Sequence, residues 1–338
     1  MQRTLGLFAG AVLAIALFTG CGHTQPITSS LPPSPTPFPP QVTSEYPIPA
    51  ANSLPSGITR GANGDLWFTE FAAGKIAELN SSAVITEFPV PSANTGPLNI
   101  IIGPDGALWF TESTASQVGR YSLTGNGFSE IKLSNPGTTS TPTDLVGGND
   151  GNIYVTDPGS NGIWQVTTGG QTTFFPLTTP NADPTSITTG PDGALWFVEP
   201  KANKIGRVST TGALSEYPVP TANAGLGDLV AGSDNAVWFT ETTAAKLGRI
   251  TTTGQVTNEF PLTGMTAPFG IVLGINGNFY IGDHAASKIG QFNATTHAMT
   301  TFSFSTNPAT VYDLTLGPDN QVYFTEQAAN KIAQFRYF

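Results

Sequence analysis

The chain has 338 residues, with 13 basic and 23 acidic side chains and a formal net charge of −10. No basic cluster interrupts that balance, which argues against nucleic acid and anionic lipid surfaces as partners. The single cysteine, Cys21, excludes a disulfide or a cysteine-based metal site in the body of the chain.

Residues 1–20 read as a secretory signal. Arg3 precedes an apolar run of 14 residues from Leu5 to Phe18, too short to span a bilayer comfortably. Thr19 and Gly20 before Cys21 resemble a bacterial lipobox, although Phe18 stands where such signals usually carry Leu, Val or Ile. The expectation is a lipidated Cys21, and hence an extracytoplasmic lipoprotein held on a membrane; ordinary cleavage leaving a free thiol is the alternative. The tether follows over 21–44, with seven prolines between residues 22 and 44. Such a stretch favours an extended conformation and cannot build a core.

Residues 45–338 carry a repeat. "GPDGALWF" stands at 103–110 and again at 190–197, and weaker copies fall between and around them. The aromatic centres are Trp67, Trp109, Tyr154, Trp196, Trp238, Tyr280 and Tyr323, spaced by 42 to 45 residues. A fixed period in this range over the whole domain signals a repeat architecture. Each unit contains four short strand signals: one ending in glycine, the alternating "ALWFTE", "KIGRV" and "SEYPVP", with a Pro-Asp-Gly turn between the first two. This predicts an all-β, seven-bladed β-propeller with four antiparallel strands per blade. The domain opens with a fourth strand and ends with a third. Residues 45–49 are therefore expected to pair with 331–336 and close the ring, leaving no open edge between last blade and first. The aromatic centres are expected to wedge between blades.

Eleven residues before each aromatic lies a register mark: Ser56, Leu98, Thr143, Thr185, Gly227, Phe269 and Tyr312. In a propeller these positions meet at one mouth of the central channel, together with seven strand-end acids: Glu70, Glu112, Asp157, Glu199, Glu241, Asp283 and Glu326. A carboxylate ring could hold a cation. Cross-strand pairing with Lys75, Lys204, Lys246, Lys288 and Lys331, each five residues on, explains it better and without a ligand. The residue after each mark is a turn-former, and Asp144, Asp228 and Asp313 among them form a possible second polar tier. Of three histidines, His23 falls in the tether, His284 is expected at an exposed loop tip, and His297 on the opposite face. No nucleophile triad, phosphate loop or histidine metal spacing is visible.

The wording "PDGALWFTE…ANKIGRVSTTGALSEYPVP" closely resembles the virginiamycin B lyase (streptogramin lyase) family over about residues 45–338. The resemblance implies a magnesium-assisted elimination that opens a cyclic depsipeptide at an ester. It also implies catalytic histidines in "P-H-[GA]-I" segments of the last two blades; here those places hold Phe269 in "PFGI" and Tyr312 in "VYDL". Of two metal carboxylates the family would supply, one place is Thr310 and the other is matched by Glu326.

Two readings follow. In the first, a tethered, monomeric propeller binds a neutral small molecule, glycan, peptide or protein at the mouth through Phe269, Tyr312, Asp313, Thr143, Thr185, Leu98 and Ser56. In the second, it is a carbon–oxygen lyase with a rewired site around Tyr312, Glu326 and Asp313, with Mg2+ at Glu326, or another propeller activity such as a hydrolase or lactonase. The ordinary phenol pKa, near 10, disfavours Tyr312 as a base.

Overall fold

The computed structural model describes residues 39–125 and 127–338. The signal segment, Cys21, His23 and most of the tether lie outside the described residues. Seven four-stranded antiparallel sheets make up the fold, as the repeat predicts. Their innermost strands are Pro55–Arg60, Pro97–Ile102, Leu145–Gly147, Ile187–Thr189, Leu226–Ala231, Pro268–Leu273 and Val311–Leu316, and blades are numbered 1 to 7 in that order.

Closure happens where the phase of the repeat places it. Gln41–Pro47 pairs antiparallel with Lys331–Arg336, setting Tyr46 opposite Ile332 and Pro47 opposite Lys331. The closing strand nevertheless starts at Gln41 rather than residue 45, inside the stretch assigned to the tether. Pro40 is the last of the tether's prolines, and beyond it Val42 and Thr43 are β-branched residues suited to a pleated edge. Val42 pairs with Phe335, and the Thr43 hydroxyl donates to Gln334 Oε1 at 2.8 Å.

The aromatic centres do wedge between blades. Trp67, Trp109, Tyr154, Trp196, Trp238 and Tyr280 are at most 2 % exposed, and Tyr323 is 8 % exposed. Each packs into a cluster shared with the next blade around the ring: Trp196 of blade 4, for example, lies with Leu226, Leu229 and Val237 of blade 5. Burying such a side chain contributes about 1.5–3 kcal/mol. The residue two after each register mark, from Ile58 to Leu314, is buried in every blade.

One small residue type carries a role the pattern did not reveal. The threonine of "WFTE" accepts a hydrogen bond from its own blade's inner strand and donates one to the next blade. Thr69 Oγ1 accepts from Gly57 N (2.9 Å) and donates to the Leu98 carbonyl (2.8 Å). Thr111, Thr156, Thr240 and Thr325 repeat this with the carbonyls of Thr143, Thr185, Phe269 and Ser56. Val198 and Gly282 occupy the position in blades 4 and 6, so those two junctions must be held otherwise.

Candidate functional site

The inner and second strands lose register at the channel mouth. In blade 1 pairing jumps from Pro55–Glu70 to Ile58–Phe68, and blades 2, 5, 6 and 7 show the same irregularity. The two residues skipped are the register mark and the turn-former after it. A bulge re-aims side chains locally, which is why chemically free positions sit here on a uniform scaffold.

The mouth holds a cavity of about 280 Å3. Leu98, Thr143, Thr185, Phe269, Tyr312 and Asp313 line it as expected, joined by Asn99, Asp144, Ser186, Asp228 and Gly227. Ser56 does not line it. It is 1 % exposed, donates to the Leu54 carbonyl at 3.1 Å and accepts from Gln327 Nε2 at 3.2 Å.

Phe269 and Tyr312 form one wall, with ring centroids 5.3 Å apart and planes tilted by 37°. Gly270 makes that contact possible. A Cβ there would lie 2.5 Å from the Tyr312 carbonyl oxygen, so only glycine lets blades 6 and 7 approach closely enough to bring the rings together. Val311 fills the space left by Gly282 in the same junction, its Cγ1 2.4 Å from where a Cβ would stand. His284 was expected at an exposed tip, but it is half-buried against this wall, 5.2 Å from Phe269 and 5.6 Å from Tyr312 between centroids. Burial lowers its pKa, against opposing contributions from Gln327 and Asp283. Its position in sequence, one residue past a strand-end acid, carried no signal of this packing.

The floor is the polar tier, and its first role is structural. Asp144 accepts from Leu145 N at 2.7 Å and from Ile187 N of blade 4 at 2.8 Å. Asp228 bridges Leu229 N (2.7 Å) and Ile271 N of blade 6 (3.1 Å). Asp313 bridges Leu314 N and Ile58 N of blade 1, both at 2.8 Å. Ser186 donates to Asp144 (3.0 Å) or Asp228 (2.5 Å), linking blade 4 to blade 5 where Val198 cannot. Asn99 Nδ2 donates to Asp144 as well. Burial pushes Asp144 up to about 7, with the Asp228 charge adding to it. Asp228 is raised by burial, and Asp313 is raised well above the usual carboxylate range by burial and by Asp228 and Asp144. Tyr312 is raised as well, by burial and the three aspartate charges, which weakens it further as a base.

The strand-end acids do not reach the mouth. Glu70, Glu112, Asp157, Glu199, Glu241, Asp283 and Glu326 are all 0 % exposed and none lines the cavity. Glu326, the candidate catalytic and metal residue, is therefore set apart from Tyr312's face of the cavity. Among the described residues no cluster of three or more His, Cys, Asp or Glu is placed to hold a metal. Thr310 and a walled-off Glu326 do not fit the magnesium site that the resemblance implied.

The acid–lysine pairing also needs correction. Glu70 stands opposite Lys75 in register, and Glu326 opposite Lys331. The ammonium groups turn instead to acids of the outermost strands: Lys75 to Glu87 (2.6 Å), Lys204 to Glu216 (3.1 Å), Lys331 to Glu45 (2.6 Å). A long lysine side chain reaches past its neighbour to a carboxylate nearer solvent, where less desolvation is needed.

A pH dependence follows. Burial pushes Glu199 up to about 8, with Glu216 adding to the push and Lys204 opposing it. Burial likewise raises Glu70, Glu112, Glu241 and Glu326 to about 7. A carboxyl raised on folding keeps its proton where the unfolded chain has lost it, so its stability contribution is present at low pH. It is lost as pH rises from about 4.3, the unfolded value, towards 7 or 8. Glu216 runs the other way. It is half-buried, yet hydrogen bonds from Thr179, Lys204 and Thr178 bring it down to about 2, so its contribution is lost as pH falls below about 4.3. The melting temperature is expected to peak near pH 5 and fall towards pH 8, with Glu199→Gln flattening the fall. A melting temperature that climbs steadily from pH 5 to 8 would contradict these buried, protonated acids.

Comparison with known proteins agrees with the seven-bladed fold. The virginiamycin B lyase family model matches residues 39–226 and 220–337. A streptogramin B lyase structure is 33% identical, covering 87% of this chain and 96% of that chain, with a TM-score of 0.82. Virginiamycin B lyase from Staphylococcus aureus is 30% identical over 87% of this chain and 99% of that chain, also at 0.82. A catalytically inactive variant of the S. aureus enzyme with quinupristin is 29% identical, with the same coverage and TM-score. No curated protein matches the chain. From the seven blades, their closure and a family model matched along almost their entire length, the chain belongs to the virginiamycin B lyase family.

Proposed function

We propose that this propeller binds, at the channel mouth, a group presented by a small molecule, glycan, peptide or protein, and that it does so without the family's elimination chemistry. The observation that carries this reading is the cavity of about 280 Å3 walled by Phe269 and Tyr312. An apolar concave wall with a few convergent polar groups is the usual form of a ligand site, and aromatic pairs suit stacking on a ring. The two places where the family resemblance implies imidazoles supply hydrophobic surface instead. The register marks alone suit a neutral ring, but the three carboxylates beneath them add a preference that uncharged marks do not express.

Quinupristin, carried by one similar structure, is the natural first probe. Calorimetry should show binding without conversion, weakened at least about tenfold in Phe269→Ala; loss of one well-packed aromatic contact of about 1.4 kcal/mol or more gives that factor. Unchanged affinity in Phe269→Ala would remove the mouth from the reading.

A rewired lyase is the second reading, and His284 favours it. Burial favours its neutral form, which a general base needs, but it sits behind Phe269 and Tyr312 rather than in the cavity lining, so this reading requires that wall to part. Opening of quinupristin by the wild-type chain, abolished in His284→Ala, would establish this reading in place of the first.

A further inference from the structure

We propose that the group received by the mouth carries a positive charge on nitrogen, a quaternary or protonated ammonium. This rests on the reading of the mouth as a binding site and narrows what it takes.

The carboxylates by themselves are explained by the inter-blade bonds. What points beyond them is the space in front and its far wall. The cavity of about 280 Å3 has Asp144, Asp228 and Asp313 among its lining residues and no lysine or arginine. Phe269 and Tyr312 both line it, their ring planes tilted by 37° to one another, and an aromatic face attracts a cation through its quadrupole. Among the described residues no hydrogen bond reaches the Tyr312 hydroxyl, which is set among the three aspartate charges.

The floor also retains acceptor capacity. Asp313 Oδ1 and Oδ2 each receive one backbone N–H, and Asp228 Oδ2 receives one, whereas a carboxylate oxygen accepts two. The three charges repel one another, which is part of what raises Asp144 and Asp313. A bound cation relieves that repulsion; an anion would compound it, and a neutral group gains nothing from it. Mutually repelling acids beside an aromatic wall, with no basic residue to neutralise them, select a cation by charge.

Choline and its uncharged carbon isostere, 3,3-dimethylbutan-1-ol, separate charge from shape. Binding to the full chain is followed by calorimetry and by ligand-observed NMR at pH 5 and pH 8. We expect choline to bind at least about tenfold more tightly than the isostere at pH 8. That preference should shrink at pH 5, where Asp144, Asp228 and Asp313 hold more protons and His284 behind the wall gains charge. Phe269→Leu keeps apolar volume without the π face and makes no inter-blade hydrogen bond through its side chain, so it should fold and lose most of the preference. Equal binding of the two probes, or of neither, overturns the cation assignment. Quinupristin binding that still depends on Phe269 would then leave the broader reading of the mouth standing.

Discussion

Trp196→Ala should lower stability by about 3–5 kcal/mol, the range for deleting a large aromatic from a packed interior. Trp196 is 0 % exposed, and its indole stacks on Tyr217 with centroids 5.9 Å apart and planes within 21°. The Arg207 guanidinium sits over the ring, 5.7 Å from its centroid, held there by Asp192, which also accepts the indole N–H at 2.9 Å. Truncation therefore opens a cavity between blades 4 and 5 and leaves Asp192 without one of its donors. Urea denaturation checks the size of the loss. Trp196→Phe, which restores most of the volume but not the N–H, should recover more than half of it. A loss below about 1 kcal/mol for the alanine variant would mean that surrounding side chains collapse into the gap, contrary to the close packing described.

Asp144→Ala is expected to be the most damaging change at the floor, by at least about 2 kcal/mol. It leaves Leu145 N and Ile187 N without their acceptor, and each buried donor stranded this way costs about 1–3 kcal/mol. Removal of a desolvated carboxyl offsets part of that and holds the net loss towards the lower end. The local readout is amide exchange. Ile187 N–H, whose acceptor comes from the neighbouring blade, should lose protection by about tenfold or more, as a 1.4 kcal/mol change in local opening produces. Unaltered protection at Ile187 would show that the hydrogen bonds of Thr143, Thr156 and Thr189, with the aromatic wedge, hold blades 3 and 4 without it.

The blade plan was legible because it rests on periodicity. A Trp or Tyr every 42 to 45 residues, followed by a strand-end acid, is enough to count blades and to see that the chain begins one strand out of phase. The mouth was legible only as a set of positions. Register marks were found by their constant offset, but what they build depends on bulges, and a bulge leaves no composition signal beyond a turn-former. The threonine of "WFTE" looked like an alternating polar filler; its double hydrogen bond emerges only when the next blade's carbonyl is in place. His284 was misplaced for the same reason, since its neighbours Phe269 and Tyr312 come from other strands and one from another blade. The lysine partners were readable in principle: the glutamate of "SEYP" or "TEFP" stands 12 residues after Lys75 and Lys204, within reach across one hairpin.

The strand that closes the ring also sets an order of events. Glu45 meets Lys331 across 286 residues of chain, whereas the strands within blades 1 to 6 find partners a hairpin away. Local pairs form early and cheaply in entropy, and the longest loop closes last. A chain emerging from a ribosome can therefore assemble six blades in sequence while Gln41–Pro47 waits, unpaired, for residues that do not yet exist. The propeller becomes a ring only when Lys331–Arg336 arrives. Truncation of the last strand would arrest the molecule as an open spiral with a sticky edge at both ends.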